Sequence, residues 1–320
     1  MTSKIIATGS FVPDDPVNNQ FLSTLVDTSD EWIQSRTGIK TRYITRLEGT
    51  TKLAYEAAKD ALSSEGINPM SLDYIIVATM SPDYSLPNTA SQVQAFLGAK
   101  NAASFDLNVA CSGFVYALTV ANALVSNGKK KRALVIGAET VSRMLDWSDR
   151  STCVLFGDGA GAVVVETAEK GIIHSILGTD GENGMALACP SLPLQNPFID
   201  KGQERAVMSM DGQKVFKFAV SMVSKSIEQL LEETNKEKDE IAGYYLHQAN
   251  YRIIEAIARR LKIDQARFPM NVDKYANTSA ASIPMLLNEQ NRKHAIQPGD
   301  LIVLAGFGGG LTYGTMLLEW

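Results

Sequence analysis

The order of short motifs in the first half of this chain returns in the second. A duplicated pattern of that kind restricts a fold more than composition does. Lys4-Ile-Ile-Ala-Thr-Gly9 is echoed by Gly171-Ile-Ile-His-Ser-Ile-Leu-Gly178. Tyr74-Ile-Ile-Val-Ala-Thr is echoed by Tyr244-Tyr-Leu-His-Gln-Ala, and Arg132-Ala-Leu-Val-Ile by Asp300-Leu-Ile-Val-Leu. Phe156-Gly-Asp-Gly-Ala returns as Phe307-Gly-Gly-Gly-Leu, at a shorter spacing because Glu139 to Thr152 is extra in the first half. The pattern predicts two similar βα halves, residues 1–170 and 171–320, that pack as one body. Alternating strands and apolar helices make this an α/β chain with helices buried between two sheets.

One stretch dominates the first half. Ala102 to Val109 reads as a buried strand, followed by an Ala110-Cys-Ser-Gly turn and a helix from about Phe114 to Val125 that is apolar all round. Cys111 then sits deep in the fold at a helix N-terminus, where the macrodipole favours a thiolate. Cysteine is also among the most buried residue types, so the position alone does not make it a nucleophile.

The second half supplies what a nucleophile needs. By the repeat, Asn277 in Pro269-Met-Asn-Val-Asp-Lys-Tyr-Ala-Asn-Thr-Ser-Ala-Ala-Ser occupies the place of Cys111, on a strand–turn–helix of its own. His247 follows the strand at Gly243–Leu246 and points to the same edge. Cys111, His247 and Asn277 therefore converge from three strand ends, although each alone has a bland reading as a core or cap residue.

Other chemistries find less support. Gly157-Asp-Gly-Ala-Gly-Ala162 fits a dinucleotide fingerprint, but Val-Val-Val-Glu after it is strand-like where that motif needs a helix. A net charge of −5 argues against general nucleic-acid binding. Three scattered cysteines suggest neither a disulfide framework nor a metal site. With no apolar run long enough to span a bilayer, the chain is expected to be cytosolic and free of the membrane.

Ala110-Cys-Ser-Gly, His247-Gln-Ala-Asn, Ala276-Asn-Thr-Ser-Ala and Gly306-Phe-Gly-Gly-Gly resemble the condensing enzymes of the thiolase superfamily, and within it the β-ketoacyl-[acyl-carrier-protein] synthase III family. The resemblance extends to Asp27-Thr-Ser-Asp-Glu-Trp-Ile, Arg36-Thr-Gly-Ile and Asp146-Trp-Ser-Asp-Arg-Ser-Thr. Ala276 departs from it, since many members carry Gly there; the departure leaves Asn277 in place and is expected to weaken nothing. The resemblance implies a thiolase-like, five-layered αβαβα fold. It also implies initiation of fatty-acid synthesis from an acyl-CoA and malonyl-acyl carrier protein through an acyl-Cys111 intermediate.

The remaining assignments follow from the resemblance. His247 and Asn277 stabilise the enolate left by decarboxylation, and backbone N–H groups of Cys111 and Gly309 form the oxyanion hole, glycine allowing close approach. Trp32 and Arg150, with Thr28 and Arg36, hold CoA. Leu86 and Phe307 shape the acyl pocket, Leu86 by reaching across a homodimer. Lys214, Lys217, Gln248, Arg252, Arg259 and Arg260 meet the acidic carrier protein. CoA thioester is a substrate, and no cofactor or metal is expected. A related acyl-CoA condensing enzyme and a non-catalytic binding member of the fold are the alternatives. An intact Cys, His and Asn speaks against the second.

Overall fold

The computed structural model describes residues 1–129, 131–191, 197–198 and 207–320. Its elements are β1 (Thr2–Phe11), α1 (Asp30–Thr37), α2 (Thr50–Ser64), β2 (Tyr74–Ala78), α3 (Thr89–Leu97), β3 (Ala103–Leu107), α4 (Gly113–Val125), β4 (Arg132–Glu139) and β5 (Gly159–Ala168). They continue with β6 (Ile172–Thr179), α5 (Gly212–Glu233), β7 (Ile241–Leu246), α6 (Tyr251–Leu261), α7 (Ser282–Arg292), β8 (Leu301–Gly308) and β9 (Thr312–Glu319).

A five-stranded sheet has the order β1-β5-β4-β2-β3, and a four-stranded sheet the order β6-β9-β8-β7. In each, two antiparallel pairings are followed by a parallel one, so the repeat read from the sequence is present in strand order and direction. Only the first sheet continues to a fifth strand. The expected counterpart of β3 is absent because Val272–Tyr275 forms one turn of helix instead. Nor is β3 buried as expected: it is an edge strand with one pairing partner, β2, and its residues are half-buried to exposed.

Three apolar clusters stack the layers. Leu53, Ala57, Ala61 and Val93 of α2 and α3 cover one face of the first sheet through Ile75, Val77 and Ile136. Phe114, Leu118, Ile283 and Leu286 of α4 and α7 fill the space between Ile76 and Val135 of the first sheet and Ile302 and Leu304 of the second. Val223, Ile227, Ile254 and Ile257 of α5 and α6 cover the far face through Tyr244 and Val303. The resulting order is helix, sheet, helix, sheet, helix. Each large apolar side chain fully removed from water contributes roughly 1.5–3 kcal/mol, so the α4–α7 layer anchors both halves. Helix α4 is apolar almost all round because it meets a sheet on each side, whereas α7 is apolar over residues 283–287 and polar over 288–292.

Local sequence signals set several boundaries. Ser29 caps α1 by accepting the Trp32 N–H at 3.1 Å, and Gly38 ends that helix in a left-handed conformation. Asn88 and Asn250 cap α3 and α6 in the same way. Gly159 to Ala162 lie within β5, which removes the dinucleotide-loop reading. Among the described residues, no helix is long and apolar enough to cross a membrane.

Candidate active site

Cys111 lies in a short 3₁₀ turn, Ala110–Ser112, that feeds directly into α4. The chain enters it through Ala110 at φ +44°, a left-handed value that costs energy for any side-chain-bearing residue. Cys111 is 4% exposed, and burial pushes its thiol up to about 12. The Glu139 charge adds to that rise, while the Ser279 hydroxyl and a backbone N–H oppose it. Burial thus works against the thiolate that the helix N-terminus was expected to favour, with desolvation the largest influence on the thiol.

His247 leaves the end of β7 with its N–H bonded to Ala305 O at 2.8 Å. Its Nδ1 lies 2.6 Å from Ser282 Oγ, which also accepts the Gln248 N–H at 3.3 Å. The Ser282 hydroxyl hydrogen is free to point at Nδ1, and in that arrangement the ring proton sits on Nε2. Burial depresses the imidazole to about 3, so the ring is neutral. The Phe307 ring meets it edge to face with centroids 5.1 Å apart. A neutral imidazole whose free nitrogen carries the proton is a hydrogen-bond donor.

Asn277 is clamped through its backbone, its N–H to Leu155 O and its C=O to the Gly157 N–H, each at 3.0 Å. Its Oδ1 accepts the Ser279 N–H at 2.9 Å, which leaves the amide NH₂ as the free end. Ala276 before it has φ +57° and ψ −157°, a region occupied almost only by glycine, and Ser279 has φ +51°. The departure at Ala276 is therefore a strained position, where sequence suggested no consequence.

A cavity of about 290 Å³ brings Cys111, His247, Asn277 and Phe307 together at its floor, and Trp32, Arg36, Arg150 and Arg252 also line it. The Arg150 and Arg36 guanidiniums stand over the Trp32 ring at 5.0 and 5.9 Å. A second cavity of about 320 Å³ opens on the other side of Cys111, lined by Met80, Met144, Leu187, Cys189, Met208 and Gly309, among others.

Several expected residues stand elsewhere. Thr28 lines a separate polar cleft, and its buried hydroxyl has no partner. Gln248 is 1% exposed and bonded to Leu246 O and the Asn271 N–H, so it cannot meet a protein partner; its work is to brace the His247 strand end. Leu86 is 86% exposed and lines neither cavity of its own chain. Lys214, Lys217, Arg259 and Arg260 are exposed, Lys214 pairing with Asp211 at 3.5 Å. The close glycine approach falls at Gly308 and not at Gly309: a Cβ on Gly308 would lie 2.7 Å from Cys111 Cβ, whereas one on Gly309 would find its nearest neighbours at 3.4 Å.

Sequence reasoning missed Glu139, Ser279 and Ser282. Glu139 is fully buried, and desolvation pushes its carboxyl up to about 7. The available signal was a carboxylate closing the apolar run of β4.

A buried cysteine at a strand-to-helix turn, faced by two neutral amide-like donors at the floor of a tunnel, defines a thiol acyl-transfer site. Models of 3-oxoacyl-[acyl-carrier-protein (ACP)] synthase III match residues 105–181, and its C-terminal model residues 231–320. The beta-ketoacyl-[acyl-carrier-protein] synthase III of Clostridium novyi is 48% identical over 319 residues, 99% of this chain and 98% of that protein. The crystal structure of 3-oxoacyl-[acyl-carrier-protein] synthase III from Aquifex aeolicus superposes with a TM-score of 0.93 at 43% identity, covering 99% of this chain and 100% of that one. The enzyme of the same name from Pseudomonas aeruginosa gives 0.93 at 37% identity, covering 100% and 98%. The chain belongs to the β-ketoacyl-[acyl-carrier-protein] synthase III family and has its thiolase-like fold.

Proposed function

We propose that this chain starts fatty-acid synthesis by condensing a short acyl-CoA, acetyl or branched, with malonyl-acyl carrier protein. The products are 3-oxoacyl-acyl carrier protein, CO₂ and CoA. The observation that carries this reading is the single cavity uniting Cys111, His247 and Asn277 below Trp32 and Arg150. The Cys111 thiol proton passes to solvent as the sulfur attacks the thioester carbonyl, and CoA leaves as a thiolate that takes a proton back from solvent, so none is gained or lost. The acyl oxyanion is met by the N–H groups of Cys111 and Gly309. Malonyl then loses CO₂, and its thioester oxygen, now an enolate, accepts hydrogen bonds from His247 Nε2 and the Asn277 amide. The enolate carbon attacks acyl-Cys111 and returns the sulfur as a thiolate, which recovers a proton. Phe307, packed on His247, keeps water from the leaving carboxylate.

The chemistry needs no group beyond the CoA and carrier-protein thioesters. The adenine of CoA stacks at Trp32 between Arg150 and Arg36, a favourable cation–π geometry. Arg252 at the cavity rim, with Arg259 and Arg260 at the far end of α6, steers the acidic carrier. The half-exposed edge strand β3 and the exposed Tyr84, Leu86 and Phe96 support a homodimer in which Leu86 reaches the partner's acyl pocket. We place the enzyme in the cytoplasm.

Intact-mass analysis after incubation with a panel of acyl-CoAs tests this reading. One acyl adduct on Cys111, discharged by malonyl-acyl carrier protein with release of CO₂, is expected. An adduct on Cys153 or Cys189, or none, overturns it.

A further inference from the structure

The carboxylate of Glu139 is the one fully buried acid beside the nucleophile that the proposed chemistry leaves unused. It stands at the end of β4, where Oε2 accepts from Ser81 Oγ at 2.5 Å, Met80 N at 3.1 Å and Thr79 Oγ1 at 3.2 Å. Its Oε1 accepts from Ser279 Oγ at 3.1 Å. The first three partners belong to the segment after β2, in the first half of the chain. Ser279 belongs to the turn after Asn277, in the second. A single side chain therefore ties the two halves together at the catalytic floor.

Ser279 needs such a tie. Its φ of +51° is left-handed, and three residues earlier Ala276 is strained as well. Strained backbone persists only where its surroundings over-determine it. The Ser279 N–H is also the group that holds Asn277 Oδ1 and so turns the amide NH₂ toward the cavity. Release of the Ser279 hydroxyl would free the turn to relax and the Asn277 amide to rotate.

We propose that Glu139 is a positioning residue for decarboxylation: by holding Ser279 it aims the Asn277 amide at the enolate oxygen. This rests on the reading above, in which Asn277 serves decarboxylation and Cys111 serves acyl loading. Glu139 is not needed for loading. Its negative charge opposes formation of the Cys111 thiolate, so its removal leaves acylation as fast or faster. The two half-reactions therefore respond in different directions, which general loosening of the fold does not produce.

The test measures both half-reactions separately, acyl transfer from acetyl-CoA to Cys111 by quench and intact mass, and CO₂ release from malonyl-acyl carrier protein. Glu139→Ala is expected to slow decarboxylation 10- to 100-fold, with loading unchanged or faster. Glu139→Gln keeps a hydrogen-bonding group of the same length and is expected to restore decarboxylation to within about threefold of wild type. Ser279→Ala cuts the link to the Asn277 turn, and with it the hydroxyl that favours the Cys111 thiolate, keeps every Glu139 bond to residues 79–81, and serves if Glu139→Ala does not fold. It is expected to reproduce the decarboxylation defect, with any slowing of loading several-fold smaller, since the lost hydroxyl also favoured the Cys111 thiolate. Equal slowing of both half-reactions, or a folded Ser279→Ala enzyme with normal decarboxylation, overturns the proposal. Failure of the wild type to load or to decarboxylate would count against the underlying function instead, so the two failures are distinguishable.

Discussion

Gly308 stands so close to Cys111 that a Cβ on it would lie 2.7 Å from the cysteine Cβ and 3.1 Å from the sulfur. Both atoms belong to rigid elements, the end of β8 and the turn entering α4, so neither can withdraw cheaply. Gly308→Ala should therefore nearly abolish acylation, by 100-fold or more, while the protein stays folded; overpacking of this kind costs about 1–3 kcal/mol. Circular dichroism and acyl loading measured together check this. Loading within a few-fold of wild type would show that the turn yields.

In the proposed mechanism His247 and Asn277 act on a charge that develops as CO₂ leaves. His247→Ala and Asn277→Ala should both still load acetyl on Cys111 but lose decarboxylation by an amount near 2–4 kcal/mol in that step. A variant that lost loading and kept decarboxylation would reverse the roles.

Opposite pH signatures are expected from the two buried titratable groups, His247 and Glu139. The imidazole is held near 3, against an ordinary 6.5, so unfolding takes up a proton below pH 6.5, and His247's contribution to stability is lost as pH falls toward 3. The carboxyl is raised to about 7 from 4.5, so its contribution is complete below 4.5 and lost as pH rises toward 7. Between pH 4.5 and 6.5 the two slopes have opposite sign and offset each other. Urea melts across that window should show His247→Asn gaining stability toward acid and Glu139→Gln losing it. Parallel curves for the two variants would mean that neither group titrates as described.

Ala276 occupies backbone space that suits glycine, at a strain of about 1–3 kcal/mol. Ala276→Gly should raise the melting temperature, the relief exceeding the roughly 0.5–1 kcal/mol of added chain entropy. A lower melting temperature would mean that the strain is absorbed elsewhere.

The parts legible in the sequence were those fixed by local chemistry. Thr89 to Leu97 reads as a helix and is one, because Asn88 caps it and Gly98 ends it. Gly159 to Ala162 reads as leading into a strand because Val163 to Val165 cannot continue a helix well, and the strand takes in the glycines too. The duplicated order set the two sheets, since each repeated motif carries its own strand direction. Residues 269–271 precede a single helical turn where symmetry called for a strand, because no neighbouring strand is there to pair with them. Glu139 and the close approach of Gly308 escaped notice, and Gln248 was given the wrong role, for one reason. Each acts through a residue more than 20 positions away, and no spacing rule reaches that far.

The raised Cys111 thiol has a consequence for how the resting enzyme meets small reactive molecules. Peroxides and simple alkylating agents attack the thiolate, and their rates follow its fraction. Burial, which favours the thiol and leaves Cys111 4% exposed, works against both routes. A covalent inhibitor is therefore expected to react faster when it fills the cavity as a thioester does than as a small free electrophile.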